Sequence, residues 1–305
     1  MRGATRFLFI SLMPSVALAT GGPLPAADEW GELPEGTRTV LLVTGADRGY
    51  ILPRGCYGAW GGANYRPALE AWLAGQPHAP QRVWIATGDV VSRDPEAAAA
   101  EFVFENLSLV PYDAIGIGAA ELEMLGAERL AVQAAAYGLP FVSANLRVFE
   151  TGTAAFAEFE RIETPSGSIA IVSASPHRPA LMWGDASSGT LLTTEPDEAL
   201  RNAVERARQS ADLVVLAGNF SIVELRRLLP SIAPVDLALT SSGPSYDERP
   251  RAMAGVPVLR LGDAGRVLGR VALGAEGRIL EVRGIQVRDR FPIDPINGIP
   301  LELGD

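Results

Sequence analysis

The chain has 305 residues, 48% of them hydrophobic, and sets 26 basic residues, all arginine, against 36 acidic ones for a formal charge of -10. That length and apolar content suffice for a large buried core, while the acidic balance argues against nucleic acid as a partner. The single cysteine, Cys56, excludes an internal disulfide framework.

Residues 1–19 read as a secretory leader: Arg2 and Arg6 precede the short apolar run Phe7 to Ala19, which ends in Ala-x-Ala. The run is too short to span a bilayer. The expectation is a periplasmic or secreted protein that begins near Thr20 and has no membrane span in its mature form. Removing two arginines from 26 leaves 24 against 36 acids, or -12. Residues 20–37, rich in Pro, Gly and acid, form an N-terminal arm.

From there short β-rich runs alternate with helices. Strands are expected at 39–44, 82–87, 114–117 and 141–144, with helices at 66–74, 95–109 and 127–137 between them. Asp94 before Pro95 suits an N-cap followed by N1 proline; Ser221 with Glu224 makes a capping box, and Thr194 with Asp197 a weaker version before a helix at 197–211. His78 is expected in a turn, and His177 in a loop after a strand.

The second half changes rhythm. Runs at 157–163 and 168–174 flank Thr-Pro-Ser-Gly and read as a hairpin; strands follow at 212–217, 236–240 and 256–261, and 266–273 with 278–288 form a last hairpin. Parallel βαβ units followed by antiparallel strands imply an α/β fold of two packed sheets with helices outside. No linker divides residues 38–292, which read as one domain, with 293–305 as a C-terminal tail.

Particular segments sharpen this. The run Val40 to Arg66 opens from an apolar strand into Thr-Gly-Ala-Asp-Arg-Gly and then Gly61-Gly62 before a helix. Gly88-Asp89 ends a second strand; Asp113-Ala-Ile-Gly-Ile-Gly118-Ala119-Ala120-Glu121-Leu122, Ser143-Ala144-Asn145 and Val235-Asp236 follow in order. The pattern resembles the calcineurin-like metallophosphoesterases of the 5'-nucleotidase type, over about residues 39–290. The resemblance implies a four-layer αββα sandwich and a two-metal phosphoesterase site. It also implies that Ala46 and Arg48 stand where an Asp-x-His motif supplies ligands, and that Ala119 and Ala120 stand where Asn-His does. Gly218 marks a Ser-His slot, and Ser242 and Pro244 fill two imidazole slots. Within the superfamily the loop Gly49-Tyr-Ile-Leu-Pro-Arg54-Gly-Cys56 resembles a divergent bacterial group with two cysteines there; one has become Arg54.

Two divalent ions that activate water need a bridging carboxylate among imidazoles and an amide. Here Asp89 keeps the carboxylate, Glu121 keeps a position that is usually outside the ligand set, Asn145 belongs to framework, and the imidazoles are gone. The leading expectation is an Arg48–Asp89 ion pair in place of the metal centre, because a buried carboxylate without an ion must be paired or protonated. No cofactor is then needed, and the protein acts as a noncatalytic binding or accessory protein toward a periplasmic protein or small ligand. The alternative is residual hydrolysis with one hard cation at Asp89, aided by Asp47, Glu121 or Asp236. A third reading makes Cys56 a redox or partner thiol, against a small buried hydrophobe in a Gly-flanked loop. Tyr57, Trp60 and Tyr65 either form a recognition surface or pack beneath that loop.

Overall fold

The computed structural model describes residues 30–287 apart from 53–60, 77, 93–98, 149, 177–190 and 233. The expected leader, the first ten residues of the arm and the C-terminal tail therefore lie outside the described residues, as do Asp94, Pro95 and His177.

Two six-stranded sheets face each other. The first runs β14-β13-β1-β2-β3-β4, where β1 is Thr39–Thr44, β2 Gln81–Ala86, β3 Tyr112–Gly116, β4 Phe141–Val142, β13 Val267–Leu273 and β14 Ile279–Gln286. The second runs β11-β12-β10-β9-β7-β6, with β6 Phe159–Thr164, β7 Gly167–Val172, β9 Leu213–Gly218, β10 Leu237–Thr240, β11 Arg251–Met253 and β12 Val256–Arg260. Strands β1 to β4 are parallel, as are β7, β9, β10 and β12; both hairpins are antiparallel. A two-stranded ribbon, β5 (Leu146–Val148) with β8 (Leu191–Thr193), was not anticipated, and neither was β11.

The alternation of side chains along a strand explains why these runs are apolar throughout. In β1, Leu41 and Val43 point between the sheets to meet Ile169, Ile171 and Val215, whereas Val40 and Leu42 point to the helices outside. Those helices are α1 (Arg66–Ala74), α2 (Ala100–Ser108) and α3 (Ala119–Tyr137); α4 (Pro196–Ser210) and α5 (Ile222–Leu228) cover the second sheet through Leu200, Val204 and Leu225. The four layers are thus helix, sheet, sheet, helix, as the sequence implied.

Local chemistry sets the ends. Glu224 and Ser221 close the expected capping box on α5. Thr194 does not cap α4: Glu195 takes that place with Pro196 following, and no side chain caps it. Helix α3 starts eight residues before the expected 127, because Glu121 turns back to accept from Gly118 N at 2.8 Å; the break at Gly126, with φ 69°, hid the continuity. His78 sits in its expected turn.

Candidate functional site

The carboxyl ends of the parallel strands from both sheets meet on one face, the place where open α/β sheets bind ligands. Ser241, after β10, hydrogen-bonds Thr87, after β2, and Asn219, after β9, donates its amide to Asp89. Ala264 N donates to Ala46 O at 2.6 Å, and Arg48 N to Asp89 O at 2.9 Å, so the turns after β12, β1 and β2 are sewn together through backbone.

Asp89 holds φ at +52°, and Arg48 likewise, a left-handed conformation unusual for residues with a side chain. Glycines make room for it. A Cβ on Gly88, whose φ is +98°, would stand 2.9 Å from Gly116 O and Gly118 N, and one on Gly118 would strike the Asp89 carboxylate. The carboxylate is therefore pressed against the start of α3, where it accepts from Ala120 N at 3.0 Å.

Each remaining carboxylate has its own partners. Glu121, fully buried, accepts from the backbone N–H of Asp89, Val91 and Gly118 at 3.0, 3.0 and 2.8 Å. Burial, reinforced by the nearby Asp89 charge, pushes its pKa up to about 7 against the pull of those three donors. Asp47 is clasped by both terminal nitrogens of Arg66, one of them at 2.7 Å, with both side chains 2% exposed. Arg66 also donates to the Tyr112 hydroxyl at 3.0 Å. Burial works against the Arg66 charge, but Asp47 and Tyr112 outweigh it and hold its pKa well above the ordinary value. Burial also raises the Tyr112 phenol to about 12, beyond the lowering effect of Arg66.

The expected Arg48–Asp89 ion pair does not form. The Arg48 guanidinium instead reaches Asp263, with Nη1 3.1 Å from Oδ2, because the positive φ turns its side chain toward the end of β12. Asp236 is also misplaced by the sequence reading: it precedes β10, accepts from Val214 N and pairs with Arg208, at the opposite end of the strands. Tyr65 is buried at the N-terminus of α1, so it is not part of a surface. Asn145 is framework: it donates to Ser175 O and Thr194 O and accepts from Ser175 N. Cys56, Tyr57 and Trp60 lie outside the described residues. Asn219, Asp263 and Arg266 were not singled out from sequence; Asn219 follows the end of β9 and Asp263 that of β12, the one signal available for them, while Arg266 immediately precedes β13.

A two-metal centre does not fit this donor set. The oxygens of Asp89 face an amide and a backbone N–H, those of Glu121 face three backbone N–H groups, and those of Asp47 face a guanidinium. Among the described residues no three of His, Cys, Asp and Glu gather in a metal-holding arrangement. A separate cavity of about 480 Å³, lined by Trp30, Val40, Trp72 and Arg82 among others, opens near the starts of β1 and β2, away from this face.

No protein-family model matches the chain, and no curated protein matches it. Solved structures do. The sulfate thiohydrolase SoxB of Thermus thermophilus superposes with a TM-score of 0.69 at 18% identity, covering 85% of this chain and 58% of its own. A 5'-nucleotidase precursor, also from Thermus thermophilus, gives 0.64 at 17% identity, covering 83% and 55%. The calcineurin-like phosphoesterase YfkN of Bacillus subtilis gives 0.62 at 14%, covering 82% and 91%. The chain thus spans a little over half the length of the first two. Its two packed sheets, helical outer layers and convergent strand ends are those of the calcineurin-like metallophosphoesterase and 5'-nucleotidase fold.

Proposed function

We propose that this is an exported protein of the phosphoesterase fold that has given up two-metal hydrolysis and acts by binding, as an accessory to a periplasmic protein or as a receptor for a small ligand. On this reading residues 1–19 are the leader and residues 38–292 the working domain. The observation that carries it is the occupation of Asp89: in the slot where a bridging carboxylate would face two ions, its oxygens accept from Ala120 N and the Asn219 amide. Nitrogen donors solvate the charge that a metal would otherwise neutralise.

One observation favours a second reading. Among the described residues Asn219 Oδ1, buried on the amide that bonds Asp89, has no hydrogen-bond partner, and an amide oxygen with a carboxylate is a donor pair for one hard cation. Hydrolysis of a phosphoester with saturating Mn, measured with metal content on the mature protein and its Asp89→Asn variant, decides between them. The binding reading expects no Asp89-dependent turnover and no tightly held metal. Turnover that disappears in Asp89→Asn would replace it with the single-cation phosphoesterase.

A further inference from the structure

Arg48 and Arg266 bracket Asp263, one on each carboxylate oxygen: Arg48 Nη1 stands 3.1 Å from Oδ2 and Arg266 Nη2 3.3 Å from Oδ1. The aspartate is only 8% exposed, whereas the arginines are 43% and 39% exposed. A guanidinium carries five N–H donors. Among the described residues neither arginine has another ionic partner, and Asp263 Oδ1 accepts no hydrogen bond even from Arg266. Among the described residues most donors of both side chains therefore have no partner, and both side chains are about two-fifths exposed. The turn that presents them is rigidly placed, since Ala264 N is bonded to Ala46 O and Gly62 N, at 3.0 Å, to Ala264 O.

Resting on the binding reading, we infer that Arg48 and Arg266 form a receptor for a carboxylate group. Two half-exposed guanidiniums that already converge on one carboxylate have the planar, forked geometry for a second. Charge decides against a dianion such as phosphate. At this face Arg48, Arg66 and Arg266 are already matched by Asp47, Asp89 and Asp263, with Glu121 as a fourth carboxyl beside Asp89. A group that brings one negative charge disturbs that balance half as much as a group that brings two. Asp263 serves as the anchor that keeps the two arginines together and, at the same time, as the internal competitor for their donors.

The test is thermal shift with acetate, and with trialanine bearing a free or an amidated C-terminus, each at constant ionic strength against chloride, sulfate and phosphate. Saturable stabilisation by acetate is expected, lost at least tenfold in apparent affinity in Arg48→Ala and in Arg266→Ala. Asp263→Asn, which removes the competitor and leaves both cations, is expected to bind acetate several-fold more tightly, an outcome that a merely structural ion pair does not produce. Stabilisation by free but not amidated trialanine, exceeding that by acetate, identifies the source as a polypeptide end; the reverse order identifies a free acid. The inference is overturned by a response that survives both arginine variants, by phosphate or sulfate outcompeting acetate, or by no saturable response in a protein whose ligand-free melting is intact. Failure here together with no Mn-dependent turnover would remove the carboxylate receptor alone, whereas Asp89-dependent turnover would remove the binding reading beneath it.

Discussion

Asp47 and Arg48 are neighbours in the chain, and each belongs to an aspartate–arginine cluster, yet the two clusters differ in every physical respect but chemistry. Asp47 turns inward to Arg66, both 2% exposed, in a bidentate clasp extended through Tyr112 to Thr44. Arg48 turns outward to Asp263 through a single contact and remains nearly half exposed. A buried pair whose two carboxylate oxygens are both taken by one guanidinium is bound to its own geometry, and the one Arg66 donor without a partner among the described residues, Nε, is itself buried and out of a ligand's reach. An open pair contributes little to folding, so its donors remain available. The site's outer face therefore belongs to the second cluster and its foundation to the first.

The largest test of that contrast is Arg66→Met. It leaves Asp47 buried and unpaired, so a loss of about 3–5 kcal/mol in denaturant unfolding is expected. Adding Asp47→Asn should recover part of it, because the variant no longer buries a charge. A loss below about 1 kcal/mol would mean that the inner cluster is no more structural than the outer one.

Glu121 lies on the inner side and titrates. Its folded pKa is raised from 4.5 to about 7 by burial and by Asp89. Between those values the folded chain keeps a proton that the unfolded chain has lost, so its contribution is complete below pH 4.5 and is lost as pH rises through about 7. The decline is on the order of 3–4 kcal/mol at most, read as the pH dependence of unfolding free energy. In Glu121→Gln this component should be flat, whatever the variant's absolute stability. An unchanged slope would show that Glu121 is not the group that titrates.

The fold was legible where burial on both faces makes a strand wholly apolar, as in Thr39–Thr44 and Leu213–Gly218. It was not legible where pairing alone makes the strand: β11, Arg-Ala-Met, is largely exposed, and β11 and β5 are each three residues long. Arg270 illustrates a different limit. A charged residue in the middle of β13 is fully buried because the segment at Trp30 and Gly31 folds over it and accepts from its guanidinium, an arrangement that no local pattern encodes. At the site, the slots after each strand could be read in order, including the substitutions at Ala46, Ala119 and Ala120. Their new partners could not: Asn219 meets Asp89 across 130 positions of chain, and Asp263 meets Arg48 through the close of a sheet rather than through any motif.

The smallest effects belong to Arg48 and separate stability from binding most cleanly. Its φ of +52° places a side-chain-bearing residue in the left-handed region, which costs roughly 1–2 kcal/mol relative to glycine. The ion pair it gains is half exposed on the arginine side, and Asp263, though buried, keeps Arg266, so the pair contributes only about 0–1 kcal/mol. Arg48→Ala loses the pair and keeps the strain, so a loss of up to about 1 kcal/mol is expected. Arg48→Gly loses the same pair but relaxes the backbone, and should come out about 1 kcal/mol more stable than the alanine variant, near the parent protein. Both variants lack the guanidinium and should lose acetate stabilisation equally. If the glycine variant proved as unstable as Arg66→Met, the outward cluster would be part of the foundation, and the division between the two sides of the strand ends would fail. If it folds as well as the parent protein and binds nothing, the strained arginine brings no gain to folding, which places its role in recognition.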